Sequence, residues 1–209
     1  GVSGAGLDAG LDGALAAVAA GRIVVISGDR LRGGDIDLMC AARHVTPEAI
    51  NFMATHGRGL ICLAVTPERA DQLGLTLVNP GTARQTGRPF ARSIEAAEGV
   101  STGISAADRA HTVTVAMADG ASSSDIHSPG HVFPLIGQSG GVLARPAACE
   151  AAIDLARMAG AGDAAVICSI MRDDGEMARI DDIGELIAAH DLAVAEIGAL
   201  IARLESARV

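Results

Sequence analysis

Gly57-Arg58-Gly59-Leu60-Ile61-Cys62-Leu63-Ala64-Val65-Thr66-Pro67-Glu68 passes from a helix stop through an apolar strand to a new helix start. Just upstream, Thr46-Pro47-Glu48 opens the helix that Gly57 ends: a Thr cap, Pro at the first helical position and an acid in the first turn. Thr66-Pro67-Glu68 repeats that signal, and Gly74 closes the second helix. Helix–strand–helix in one short run predicts a mixed α/β layer structure.

Working outward, the same alternation continues. Leu11 to Ala20 is Ala-rich and ends at Gly21, which predicts a helix, and Ile23 to Ile26 follows as a buried strand. Ser27 to Gly34 reads as a loop, and Leu75 to Pro89 as irregular, with a turn at Asn79-Pro80-Gly81. Phe90–Ala96, Thr112–Ala118 and Ala164–Met171 read as strands, and His131–Ile136 and Gly141–Leu143 as short extended pieces. Asp119 to Ser128 is a polar loop. Ala147–Ala161, Ile183–His190 and Ile197–Leu204 carry helical spacing. No linker splits the chain, so residues 1–209 are expected to form one domain, with residues 1–8 as a flexible tail.

Composition narrows the function. The chain has three Phe and no Trp or Tyr, so its core is built from Ala, Val, Ile and Leu. With a net charge of −9 and almost no aromatic platform for bases, nucleic-acid binding is not expected. No apolar run reaches the length of a membrane span. Cys40, Cys62, Cys149 and Cys168 show no metal-finger spacing, consistent with reduced buried thiols in a cytoplasmic protein.

Three segments resemble one enzyme family. Gly57–Cys62, Thr102-Gly103-Ile104-Ser105-Ala106-Ala107-Asp108-Arg109-Ala110 and Pro129-Gly130-His131-Val132-Phe133-Pro134-Leu135 are similar to 3,4-dihydroxy-2-butanone 4-phosphate synthase. The resemblance runs from about Ile23 to His190. It implies a single-domain three-layer α/β/α sandwich, a homodimer, and conversion of ribulose 5-phosphate with Mg²⁺ to a four-carbon ketone phosphate and formate. That reaction removes a proton beside a carbonyl and must stabilise an enediolate.

The family's metal-binding and proton-transfer positions depart from the pattern. Aligned back from Thr46-Pro47-Glu48 without gaps, Arg32 falls on the loop Arg, Gly33 on the metal-binding Glu, Asp35 on a second Glu, Ile36 on a Gly and Asp37 on the final Asp. A rival register places Asp29-Arg30 on the Asp-Arg pair but needs an insertion. Ile36 adopts positive φ only at a cost, so the loop backbone is expected to differ. In Arg145-Pro146-Ala147-Ala148-Cys149-Glu150, Ala148 replaces the second metal ligand, a His, and Ser169 replaces the late Glu. These losses predict no cofactor, with the Mg²⁺ site gone.

The expected catalytic residues are therefore His131, Asp37 and Cys62, and the substrate-binding residues Arg32, Asp35, Thr102, Arg145, Cys149 and Glu150, with no metal ligand. The expected ligand is a small molecule. The favoured expectation is a diverged, metal-independent proton-transfer, lyase or isomerase enzyme of a specialised biosynthetic pathway. The alternatives are the riboflavin-pathway synthase itself, and a catalytically silent binding or partner subunit.

Overall fold

The computed structural model describes residues 2–81 and 88–208. Seven strands form one mixed sheet: β1 (Val24–Ser27), β2 (Asp37–Ala41), β3 (Cys62–Val65), β4 (Ile94–Ala96), β5 (Ile126–Ile136), β6 (Ala165–Ser169) and β7 (Val194–Glu196). Their spatial order is β4-β5-β3-β6-β2-β1-β7. The β1–β7 and β3–β5 pairs are parallel, and the others antiparallel.

Helices cover both faces. Helices α1 (Gly4–Ala19), α5 (Ala148–Met158) and α7 (Ile197–Ser206) pack on one side, against Val24, Ile26, Met39, Cys62, Ala64, Leu135 and Ile167. Helices α2 (Pro47–Phe52), α3 (Pro67–Gln72), α4 (Ala106–Met117) and α6 (Gly184–His190) cover the other, against Val25, Leu38, Cys40, Leu63, Val65, Val166 and Cys168. Residues of one strand divide between the two cores in strict alternation, because side chains change face at each strand position. Strands β1, β3 and β6 are buried on both faces, so they read as apolar runs. This is the three-layer sandwich expected.

The caps fall where the sequence places them. Thr46 accepts from the Ala49 N–H and Thr66 from the Arg69 N–H, each at 3.1 Å. Four local expectations need correction. Thr112–Ala118 is the C-terminal part of α4, not a strand: Ser105 caps that helix, and Ala110, Thr112, Val113 and Ala116 form its buried side. Gly141–Leu143 is a 3₁₀ turn. Asp37–Ala41 is a central strand that the pattern did not show. The expected tail is helical from Gly4, capped by Ser3, and Asp8 is tied to Arg203 at 2.5 Å. Part of the irregular segment before Pro89 lies outside the described residues.

Candidate active site

Strand register gathers the chemistry at one end of the sheet. Asp37 on β2 lies opposite Ser169 on β6, Ile167 lies opposite Cys62 on β3, and Cys62 lies beside Phe133 on β5. Asp37, Ser169, Cys62, Phe133 and His131 alternate onto the face covered by α5. Below Cys62 the β3–β6 pairing slips by one residue: Arg58 bridges Ile170, and Gly59 lies against Ser169.

An alternating chain of charges starts at the N-terminus of α5. Asp29 accepts the Ala148 N–H at 2.9 Å and the Leu31 N–H at 2.9 Å. Arg32 Nε donates to Asp29 Oδ2 at 2.7 Å, and its Nη2 donates to Asp37 Oδ2. Arg88 Nη2 donates to Asp37 Oδ1 at 2.5 Å and to Ser169 Oγ at 2.5 Å. Arg32 Nη1 also reaches Ser169 Oγ at 3.3 Å, and that hydroxyl donates to Asp37 at 3.2 Å. Asp37 has no exposed surface. Burial raises its pKa, but Arg88 and Arg32 outweigh it, and the carboxyl is held below the usual range.

This arrangement changes the role expected for Asp37. Both carboxylate oxygens are spent on guanidinium groups, so Asp37 anchors two arginines and is a poor proton acceptor near neutral pH. Cys62 is likewise placed as a neutral wall. Burial pushes its thiol up to about 11, against the opposing pull of Arg88, and it donates to the Leu60 carbonyl at 3.7 Å. Cys149 is buried at the start of α5, where desolvation and Glu150 push its thiol well above the usual value.

Arg145 is 4% exposed, and its Nη1 donates to Glu150 Oε1 at 2.8 Å. Glu150 Oε2 accepts the Gln138 N–H at 2.9 Å. Burial raises the Glu150 pKa, only partly offset by Arg145. Arg32, Arg88, Arg145 and Cys149 line one narrow chamber. Arg145 and Glu150 also border an adjoining cavity of about 320 Å³, with Pro67, Pro89 and Gln138.

His131 belongs to a second cluster. Its Nδ1 lies 2.8 Å from Glu95 Oε2, and its backbone N–H donates to Glu95 Oε1 at 3.1 Å. With Nδ1–H given to the carboxylate, Nε2 carries the lone pair of a general base. Gly103 packs against the Glu95 carboxylate, so Thr102, exposed on the same turn, borders this pair rather than the arginine chamber. Asp35 stands apart from Asp37, paired with Arg179 at 2.5 Å. The left-handed conformations of the loop fall on Gly33 and Gly34, at φ +65° and +94°, which leaves Ile36 free to be buried. Arg88 and Asp29 were not among the expected site residues. Arg88 follows an irregular segment with no periodicity, so no local signal marks it.

Among the described residues, no three His, Cys, Asp or Glu side chains converge as a ready ligand set for a metal. Asp35, Asp37 and Glu150 are each engaged by an arginine. No chemical step below is routed through an ion.

The profile of the 3,4-dihydroxy-2-butanone 4-phosphate synthase family matches residues 12–203. A protein of that name from Pseudomonas aeruginosa is 50% identical over 181 residues, covering 87% of this chain and 50% of its own length. The riboflavin biosynthesis protein RibBA of Aquifex aeolicus is 50% identical over 183 residues, covering 87% of this chain and 45% of its own. The chain thus spans about half the length of these curated relatives. A crystal structure of 3,4-dihydroxy-2-butanone 4-phosphate synthase in complex with two magnesium ions superposes with a TM-score of 0.86 at 35% identity, covering 94% of this chain and 96% of that one. That structure corrects the expectation of no cofactor: a divalent cation is what the relationship indicates. With the fold, the motif positions and these similarities in agreement, the chain belongs to the 3,4-dihydroxy-2-butanone 4-phosphate synthase family.

Proposed function

We propose that this chain, as one domain and as a homodimer in the cytoplasm, converts ribulose 5-phosphate to 3,4-dihydroxy-2-butanone 4-phosphate and formate for riboflavin synthesis. The observation that carries this reading is the placement of Arg32, Arg88 and Arg145 around one chamber, at the sheet end to which register also brings His131. Guanidinium groups suit a phosphorylated substrate. The Glu95–His131 pair suits proton removal beside its carbonyl. The 50% identity to curated synthases supports the same substrate.

In this reading Arg145 receives the phosphate, Glu95 fixes the His131 ring, and His131 Nε2 takes the proton from the carbon next to the ketone. Asp37 keeps Arg32 and Arg88 in place. Ser169 accepts from both arginines and helps orient them. The test is formate release from ribulose 5-phosphate by the purified chain, with and without added Mg²⁺. Formate at a rate that depends on His131 supports the reading. No formate in either condition rejects it.

One observation favours a second reading. By the resemblance, Gly33, Ala148 and Ser169 stand where the family carries metal and proton-transfer groups, which leaves those positions without a carboxylate or imidazole. That composition suits related lyase or isomerase chemistry on a larger or less polar small molecule. Turnover of such a molecule, with none of ribulose 5-phosphate, would distinguish it.

A further inference from the structure

Three side chains of α4 strap down the loop that leaves β4. Thr112 Oγ1 accepts the Ala96 N–H at 3.0 Å, and His111 Nε2 lies 3.0 Å from the Glu98 carbonyl oxygen. Asp108 Oδ2 accepts the Ser101 N–H at 3.2 Å, the Ser101 hydroxyl at 3.2 Å and the Gly103 N–H at 3.0 Å. Residues 108, 111 and 112 are spaced by three and four, so they share one face of the helix.

The helix start has its own cap, since Ser105 Oγ accepts the Asp108 N–H at 3.0 Å. Asp108 spends its carboxylate on the turn instead, with three donors on one oxygen. That turn closes over Glu95. A Cβ built on Gly103 would fall 1.8 Å from Glu95 Oε2, so the Gly103 backbone lies directly on the carboxylate. The Glu95 side chain is left only 14% exposed.

This wall bears on the proton of His131. A neutral imidazole carries its proton on either ring nitrogen, and the partner of one nitrogen decides which. Glu95 Oε2, 2.8 Å from Nδ1, selects Nδ1–H and leaves Nε2 its lone pair. A glutamate has several rotamers, and holding one of them costs entropy. The His131 backbone N–H secures one oxygen of the carboxylate, and the Gly103 turn blocks its retreat on the other side.

We propose that Asp108 is a positioning residue for His131: by fixing the Ser101–Gly103 turn over Glu95, it keeps the carboxylate on Nδ1 and so leaves Nε2 without a proton. The inference rests on the reading of His131 as the base but not on the identity of the substrate.

Two measurements test it. The first is nitrogen NMR of the isotopically labelled chain, at a pH where the His131 ring is neutral, with His131→Gln to assign its signals. Wild type is expected to show the Nδ1–H tautomer alone. Asp108→Ala is expected to move about half of His131 or more to the Nε2–H form. Asp108→Asn still offers an oxygen to Ser101 and Gly103 and is expected to keep the wild-type tautomer. Asp108→Glu shifts the acceptor by one methylene, so it is expected to fall between, and it remains informative if Asp108→Ala does not fold. The second measurement is formate release from ribulose 5-phosphate. Asp108→Ala is expected to lower the turnover number about 10-fold, with KM within about threefold. Thr46→Ala, which removes the cap of α2, is expected to lower the melting temperature and leave both tautomer and turnover unchanged. An Nε2–H tautomer in wild type, or a wild-type tautomer in whichever of Asp108→Ala and Asp108→Glu folds, overturns the inference. So does a shifted tautomer with turnover equal to that of an active wild type. An Asp108-dependent tautomer with no formate from wild type sinks the synthase reading and leaves the Asp108 inference standing.

Discussion

Arg88 Nη2 donates to Asp37 Oδ1 at 2.5 Å, across a sequence separation that places the pair on different sides of β3 in the chain. Asp37 is wholly buried, so this contact and that of Arg32 are what allow it to remain ionised. Asp37→Asn leaves the largely buried guanidinium of Arg88 without its counter-ion and Arg32 with Asp29 alone. Breaking one side of a buried charge network costs about 3–5 kcal/mol. For a chain of this size that corresponds to a fall in Tm of roughly 6–20 °C. Scanning calorimetry checks it, and a fall under about 2 °C would contradict the network's role.

The same carboxyl sets a pH dependence. Its folded pKa lies below the unfolded one, so it contributes stability above the unfolded value, near 3.9. That contribution is lost as pH falls through the folded pKa. Glu150 works in the opposite direction: its folded pKa is raised, so its ionisation reduces stability as pH climbs from the unfolded value, about 4.3, through the folded one. Urea unfolding of wild type and Glu150→Gln across pH 4–7 is expected to show the variant losing less stability as pH rises.

The buried thiols predict an alkaline limit. Burial pushes Cys62 up to about 11 and Cys40 and Cys168 up to about 12. Unfolded thiols ionise near pH 8.5. Between that value and the folded ones the unfolded state binds fewer protons, so stability falls as pH rises, by at most about 1.4 kcal/mol per pH unit for each thiol. In the native state at pH 8, a thiol-reactive dye is expected to label none of the four cysteines quickly and all four after denaturation. Rapid native labelling of Cys62 would show that its wall is open.

Legibility followed the physics of each segment. Ile23–Ile26 and Leu60–Val65 were visible because buried central strands read as apolar runs, and the two Thr-Pro-Glu starts because capping is local. β2 was hidden: Asp37-Leu38-Met39-Cys40-Ala41 lacks β-branched residues and opens on a charge. Thr112-Val113-Thr114-Val115 misled in the other direction, since β-branched residues suggest a strand. Packing of Val113 and Ala116 against the core, and acceptance of the Ala96 N–H by Thr112 Oγ1 at 3.0 Å, override that preference. His131 was found by its motif. The pairing of Arg88 with Asp37 depends on three-dimensional closure, and no short-range pattern encodes it.

The Glu95–His131 pair predicts a graded loss of activity. His131→Ala removes the base and is expected to lower turnover 10²–10⁴-fold. Glu95→Ala leaves the ring but not its orientation, and is expected to cost less, about 10-fold. Glu95→Gln still accepts from Nδ1–H and should recover part of that loss. Turnover numbers on folded variants, verified by circular dichroism, decide the order. Equal activity in Glu95→Ala and wild type would separate Glu95 from the chemistry.

Gly103 offers an independent test of that geometry. It sits at φ +86°, and a Cβ there would overlap the Glu95 carboxylate. Gly103→Ala therefore costs stability twice, once through left-handed strain of about 1–2 kcal/mol and once by pushing Glu95 away from His131. The backbone contribution alone also appears in Gly120→Ala, because Gly120 has φ +73° and open space around its Cβ position. Comparing the two variants isolates the second effect. Both should lower Tm, but only Gly103→Ala should lower turnover, to about the level of Glu95→Ala. If turnover is preserved in Gly103→Ala despite the lower Tm, the carboxylate does not need the position it occupies against this glycine, and the orienting role of Glu95 fails with it.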